Sequence, residues 1–229
     1  MFLSLQSLRV TLEVELREFV FCAADLEKLL DQHANDRLSE AYDESVHMNA
    51  HEKEGFLDAE WGEYFRTASR FPAMLRKSQF VMAYSVFENW LLNIASHLRH
   101  QYDIQAGVKE WREKTWDKGL ELAQSYIKCC AKLQFPDQTL AWKDLKALNY
   151  VRNRIVHQGG CFGMDEQPEK DFHAIKGILR SWHDVLHLEY NTLLELKAGF
   201  MDKFVSTCNA FVADLFDGWK LAPEPPGLF

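Results

Sequence analysis

The chain has 229 residues, of which 47% are hydrophobic and 13% aromatic, enough apolar material for the core of a large folded domain. Its net charge of -8 excludes a surface that binds nucleic acid or anionic membrane indiscriminately, so any contact with a polyanion requires a local basic patch. The five cysteines are odd in number and contain no C-x-x-C pair, which indicates a reducing compartment, and we expect the cytoplasm.

The N-terminal segment predicts a long amphipathic helix over residues 4–50. Apolar residues recur at three- and four-residue steps from Leu5 to Leu30, with charged residues between them. Charges such as Arg9 and Glu13 interrupt the apolar run, which is typical of neither a signal peptide nor a membrane span.

The next segments predict two further helices. Gly55 and Gly62 interrupt the helical pattern, and Pro72 stands where a new helix can begin. The run over 73–101 is apolar on nearly all sides and predicts a central, buried helix. After a turn, the period of residues 111–133 predicts one helix, whose tryptophans fall at positions that the core can use.

A well-delimited helix is predicted over 139–158. Thr139 is a suitable N-cap, and Gly159 and Gly160 end the pattern as glycines commonly end helices. One apolar stripe runs along this helix, so one side of it faces the core.

The C-terminal part predicts a small β-hairpin near residues 185–197, a closing helix over 201–219 and a proline-rich tail over 222–229. No internal repeat or interdomain linker is visible, so residues 1–229 form a single domain. The fold class that follows is all-α, an antiparallel helical bundle.

Three chemically distinct side chains lie near the end of the 139–158 helix. Asn153 and His157 are four residues apart and share a face, whereas Arg152 lies roughly 140° around from His157 at about 100° per residue. A guanidinium binds phosphate oxygens, an amide positions a group, and an imidazole exchanges protons near neutral pH. An ordinary alternative is that basic residues here compensate the helix dipole.

The pattern R-N-x-x-x-H resembles the signature of HEPN domains, all-helical proteins of which many are metal-independent ribonucleases. The resemblance extends to the preceding long helix with Ser78 and Glu88 and to the late helix after a hairpin. It implies a HEPN-like domain whose shared cleft forms in a homodimer. It also implies that Glu88 holds the motif arginine, as an acidic residue does in some family members.

The resemblance implies a toxin or defence effector that cleaves single-stranded RNA and leaves 2′,3′-cyclic phosphate ends, with an antitoxin protein as a partner. Arg152, Asn153 and His157 would be catalytic, and no metal or other cofactor is expected. Local cations would hold the RNA, namely Arg154, Lys143 and Lys146. The alternative is a non-catalytic interaction or dimerisation module with the same fold, which the net acidity favours.

Two further patterns have the spacing of metal ligands on a helix. Asp43, His47 and His51 recur every four residues, and His183 and His187 form an H-x-x-x-H pair. Neither has the glutamate of an H-E-x-x-H motif, so a solvated polar face explains the first better and a surface helix or strand explains the second better.

Overall fold

The structure, a computed structural model, describes residues 5–162, 168–190 and 192–220. Helices occupy most of these residues, and two short strands form an antiparallel hairpin. The predicted all-α class is therefore confirmed. Within the described residues, no helix combines the length and the apolarity needed to cross a bilayer.

The long N-terminal helix, α1, spans Leu5–Glu44 and ends earlier than the predicted 50. A 3-10 turn over Ser45–His47 follows it. The next helix, α2, spans Ala50–Phe65. Asn49 starts it, since its side chain accepts from the Glu52 backbone N–H at 3.0 Å while the Glu52 carboxylate accepts from the Asn49 N–H at 3.3 Å. This capping box terminates the preceding segment and begins a new helix.

The predicted interruption at Gly55 and Gly62 is wrong, because both glycines lie inside α2. A glycine destabilises a helix by only about 0.5–1 kcal/mol relative to alanine, and this cost is too small to end α2. One turn of π-helix, Arg66–Arg70, then connects α2 to α3, which spans Phe71–Gln101. The Phe71 N–H donates to the carbonyl five residues back. The wider turn precedes Pro72, which has no N–H to donate.

Helix α3 is the central, largely buried helix that its composition predicts. Residues from Phe80 to Leu98 on its core side are almost fully buried. The aromatic rings of α3 contact those of the C-terminal helix, α8, which spans Phe200–Lys220. The ring centroids of Phe80 and Phe204 are 5.3 Å apart, and those of Phe87 and Phe211 are 5.8 Å apart. Aromatic packing between α3 and α8 therefore forms the centre of the molecule.

The segment predicted as one helix over 111–133 consists of two. Helix α4 spans Val108–Thr115 and helix α5 spans Gly119–Cys129. Trp116 adopts a left-handed conformation with φ 64°, which ends α4. Its side chain is 82% exposed, so its expected place in the core is also wrong.

Helix α6 spans Leu140–Gln158. The Thr139 hydroxyl accepts from the Trp142 backbone N–H at 3.3 Å, and Gly159 ends the helix with φ 63°. Both boundaries follow local signals that are visible in the sequence.

The remaining elements close the fold. Helix α7 spans Pro168–Ser181, and strands β1, Leu186–Glu189, and β2, Leu193–Leu196, pair antiparallel with Leu186 opposite Leu196. The hairpin falls within the predicted 185–197. The predicted tail over 222–229 lies outside the described residues. One hydrophobic core includes residues from α1, α3, α5, α6, α7, both strands and α8.

Candidate functional site

The buried side of α6 sets the rotation of the helix and so the position of the motif. Its buried apolar residues recur every three positions: Trp142, Leu145, Leu148 and Val151. Arg152 and Asn153 come directly after this stripe and are half-buried, whereas His157 is exposed in the last turn. The motif therefore begins at the edge of the core and ends in solvent.

Arg152 and Asn153 line a cavity of about 380 Å³ beside α6. Asn149 of α6 also lines it, and helices α3, α4 and α5 and the residue before α5 supply the other walls, through Glu88, Leu92, Arg112, Lys118, Gly119 and Leu122. The lining contains three cationic side chains and one carboxylate. A locally basic cavity thus exists in a chain whose net charge is -8.

The Arg152 guanidinium is only partly engaged by the protein. Its Nη1 donates to Asn153 Oδ1 at 2.8 Å, and its Nε is buried without a hydrogen-bond partner among the described residues. An unmet buried donor costs about 1–3 kcal/mol, and more for a charged group. The amide of Asn153 therefore orients a guanidinium that still has capacity to bind an anion.

Glu88 shares the cavity with Arg152 but does not pair with it. No ion pair within 4 Å joins these two side chains, both of which the structure describes. The Glu88 carboxylate lies instead against Gly119, where an added Cβ would come within 2.7 Å of Oε1. Gly119 is the first residue of α5, and the partial positive charge of a helix N-terminus favours a carboxylate.

Tyr84 lies near both charged groups of the cavity. Its hydroxyl is buried and donates to the Leu145 carbonyl at 3.1 Å. Burial raises the pKa of Tyr84 well above its usual value, the negative charge of Glu88 raises it further, and Arg152 acts in the opposite direction. The two charges therefore act on one buried phenol.

His157 does not line this cavity. A single chain thus presents two separate features, a cavity with Arg152 and Asn153 and an exposed imidazole about one turn further along α6. Within one chain, the Arg152 and His157 side chains are not brought together in this cavity.

Arg154, which is predicted to bind RNA, has several contacts inside the chain. Its guanidinium lies over the rings of Tyr150, at 5.2 Å, and Phe162, at 5.9 Å. It also donates to the Tyr150 hydroxyl at 2.8 Å and to Gln158 Oε1. These contacts tie the end of α6 to the segment that follows, so RNA would have to compete for this side chain.

The predicted lysine contacts lie on the surface outside the cavity. Lys143 and Lys146 are both exposed, and Lys146 Nζ is 3.8 Å from Glu121 Oε1. Such an exposed pair contributes little to stability, so both lysines remain accessible to a polyanion. Arg112 and Lys118, which do line the cavity, were missed because the helical period appeared unbroken across the connection between α4 and α5.

The alternative role of the motif cations, compensation of the α6 dipole, is served by a different residue. Lys77 of α3 donates from Nζ to the Gly159 carbonyl at the end of α6, at 3.2 Å. Partial burial lowers the pKa of Lys77, while the charges of Cys161, Glu195 and Glu189 act in the opposite direction. The Arg152 side chain lines the cavity and the Arg154 guanidinium lies over aromatic rings, so the direct contact to the carbonyl at the end of α6 comes from Lys77.

The histidines of the second metal-like pattern, His183 and His187, contact groups of the protein. His187 Nε2 pairs with Glu195 Oε2 at 2.6 Å across the hairpin, and His183 Nδ1 is 3.1 Å from the Arg180 carbonyl. Within the ranges that the structure describes, no three His, Cys, Asp or Glu residues are grouped to hold a metal ion.

Comparisons with known proteins give no match to a protein-family model, to a curated protein or to a solved structure. The cavity and the motif are therefore the features of this chain that indicate its function.

Proposed function

We propose that this protein is a HEPN-like endoribonuclease that cleaves single-stranded RNA without a metal ion and acts as a toxin or defence effector. One observation carries the proposal: the half-buried Arg152 guanidinium lines a cationic cavity, and no carboxylate of the described residues lies within 4 Å of it. Its neighbour Asn153 orients it, and Lys77 rather than Arg152 serves the helix end. A guanidinium in this state is suited to a phosphate diester.

In the proposed reaction, a ribose 2′-oxygen attacks the adjacent phosphorus atom and the bond from phosphorus to the 5′-oxygen breaks. The products are a 2′,3′-cyclic phosphate and a 5′-hydroxyl. Arg152 stabilises the charge that develops on the non-bridging oxygens. His157 removes the proton of the 2′-hydroxyl, and a second acid protonates the leaving 5′-oxygen.

A homodimer resolves the separation between His157 and the cavity. Because one chain places the exposed imidazole outside the Arg152 cavity, a second copy related by two-fold symmetry would bring its own His157 to the phosphate. The site would then be complete only across the interface.

The first test measures cleavage of a labelled single-stranded RNA in EDTA. We expect His157→Ala and Arg152→Ala to lose about 10²- to 10⁴-fold in rate, the range typical of a positioned acid, base or charge. His51→Ala and Arg17→Ala, on exposed positions of α2 and α1, are matched controls that keep activity. A substrate with a 2′-deoxy sugar at the cleavage position must resist cutting. Full activity of His157→Ala would refute the proposal.

The second test mixes the two inactive variants. A mixed dimer contains one composite site with Arg152 from one chain and His157 from the other, so mixing should restore about a quarter of wild-type activity if the subunits exchange randomly. No restoration, although light scattering shows dimers, would mean that each chain carries its own site. A strictly monomeric protein would refute the shared cleft.

The alternative, a non-catalytic interaction module, is favoured by an apolar residue next to the motif histidine. Val156 is 49% exposed, which suits a protein contact better than an RNA contact. Under this alternative, His157→Ala leaves RNA unchanged, as wild-type protein does, while Val156→Asp disrupts the dimer.

A further inference from the structure

The α4–α5 connection combines two cations of the cavity wall with an exposed aromatic ring. Arg112 lies in the last turn of α4, Lys118 immediately precedes α5, and both line the cavity with Arg152. Trp116 lies between them in the chain, and its backbone N–H donates to the Arg112 carbonyl at 2.8 Å. Trp116 is 82% exposed, so the fold does not bury its indole.

Neither cation is neutralised by the part of the chain that the structure describes. Among those residues, Arg112 and Lys118 have no carboxylate within 4 Å. The one carboxylate of the lining, Glu88, lies against Gly119. Three like charges on different elements repel one another, and Arg152 Nε adds a buried donor without a described partner. Such a group of donors gains most from a bound anion.

The backbone of the connection is held in a conformation that only some residues adopt readily. Trp116 has φ 64°, which is unusual for a bulky residue, and Gly119 has φ 53°. A left-handed conformation costs a non-glycine residue about 1–2 kcal/mol. The turn that requires this conformation leaves the indole in solvent, two residues before Lys118 in the chain.

We infer that the α4–α5 connection is a nucleotide-binding platform, on which Arg112 and Lys118 bind a phosphate and Trp116 stacks on its base. The assignment of the ligand to single-stranded RNA rests on the proposed function, whereas the binding of a phosphate-linked base does not. Because Arg152 lines the same cavity, the platform binds the nucleotide next to the phosphate that is cleaved. An aromatic ring beside a cationic groove binds single strands without strong sequence preference.

The test measures binding by fluorescence anisotropy, in EDTA, of a fluorescent oligonucleotide with 2′-deoxy sugars, which cannot be cleaved. We expect Trp116→Ala to weaken binding by about 5- to 150-fold, the range for one lost base stack. Trp61→Ala, which removes an indole exposed on α2, is the matched control and should bind as wild type. An abasic site in the oligonucleotide that weakens wild type should leave Trp116→Ala unaffected.

The phosphate contact has a separate readout. Arg112→Ala should lower the slope of log affinity against log salt by about 0.7, the value for one phosphate contact to a single strand. Lys118→Ala should do the same, and Arg17→Ala should not. A merely structural role would lower affinity without changing this slope.

The outcomes distinguish the ligand source and the two proposals. Competition by 5′-AMP as effective as by the oligonucleotide would identify a free nucleotide as the ligand and overturn the assignment to RNA. Unchanged affinity of Trp116→Ala together with an unchanged salt slope of Arg112→Ala would refute the platform, even if RNA cleavage depends on His157. Binding is measured with an oligonucleotide that cannot be cleaved, so the loss of cleavage activity does not affect this test.

Discussion

The substitution Gly119→Ala should destabilise the protein, because it changes the point where the Glu88 carboxylate contacts the start of α5. Gly119 has φ 53°, in the left-handed region that favours glycine. An alanine Cβ would lie 2.7 Å from Glu88 Oε1 and 3.0 Å from its Cδ. The side chain of Glu88 must therefore move, and the backbone must accept an unfavourable conformation.

The expected cost comes from two terms of known size, and a third term offsets part of it. A non-glycine residue in the left-handed conformation costs about 1–2 kcal/mol. Displacing Glu88 from the helix N-terminus costs about 0.3–1 kcal/mol. Alanine also lowers the conformational entropy of the unfolded chain relative to glycine, which offsets about 0.4–1 kcal/mol of the cost. We expect a net loss of about 1–2 kcal/mol, which lowers Tm by roughly 2–8 °C for a chain of this size.

Gly55→Ala is the matched control with the opposite sign. Gly55 lies within α2 and is exposed, and a Cβ added there would have no atom within 4 Å. Alanine should stabilise the protein there by about 0.5–1 kcal/mol. Urea unfolding followed by circular dichroism gives both free energies of unfolding. Equal effects of the two substitutions would refute the assignment of Gly119.

The contribution of Glu88 is separable by a double-mutant cycle. In a Glu88→Ala background the carboxylate is gone, so Gly119→Ala should cost less by about 0.3–1 kcal/mol. An identical cost in both backgrounds would leave only the backbone term and would contradict the contact between Glu88 and α5.

Three further substitutions test the packing around the candidate site. Arg154→Ala should lower the free energy of unfolding by about 1–2 kcal/mol through loss of the contacts with Tyr150 and Phe162. Arg154→Lys should recover little of this loss, since an ammonium does not stack on a ring as a guanidinium does. Full recovery by lysine would contradict the stacking of Arg154 on these rings. Because the pKa of Tyr84 is raised in the folded state, the folded protein keeps a proton that the unfolded chain loses above the ordinary tyrosine pKa of about 10. The contribution of Tyr84 to the free energy of unfolding is therefore complete below pH 10 and declines as the pH rises further. Urea unfolding between pH 8 and 11 should therefore show that the free energy of unfolding declines less steeply with pH in Tyr84→Phe than in wild type. Equal slopes would refute the raised pKa of Tyr84. Phe211→Ala should cost about 3–5 kcal/mol by thermal or urea unfolding, because its buried ring packs against three other rings, and a cost below about 1 kcal/mol would contradict the packing.

Local signals were sufficient where neighbouring residues decide the conformation. Thr139 and Gly159 delimit α6, and the alternation of apolar residues indicates the hairpin from Leu186 to Leu196. These predictions succeed because capping, left-handed turns and strand alternation depend on contacts a few residues apart. The all-α class follows from the same signals summed along the chain.

Local signals failed where tertiary packing outweighs a small intrinsic preference. Gly55 and Gly62 each disfavour a helix by about 1 kcal/mol or less, so α2 continues through both and joins α3 by a π-turn. In the opposite direction, Trp116 ends α4 in the middle of a regular helical pattern. Neither outcome is visible in the period of apolar residues, because the period reports a face and not the continuity of the backbone.

The amino-acid sequence by itself indicated Arg152 and Asn153 as candidate residues and predicted the helix that carries them. Only the tertiary structure decided which groups surround them, because Glu88, Arg112 and Lys118 come from elements far apart in the chain and meet Arg152 only through helix packing. The same packing assigned Arg154 to aromatic rings, where the sequence indicated a cation for RNA. Residue type and spacing determine what a side chain can bind, whereas the fold determines which partners reach it first.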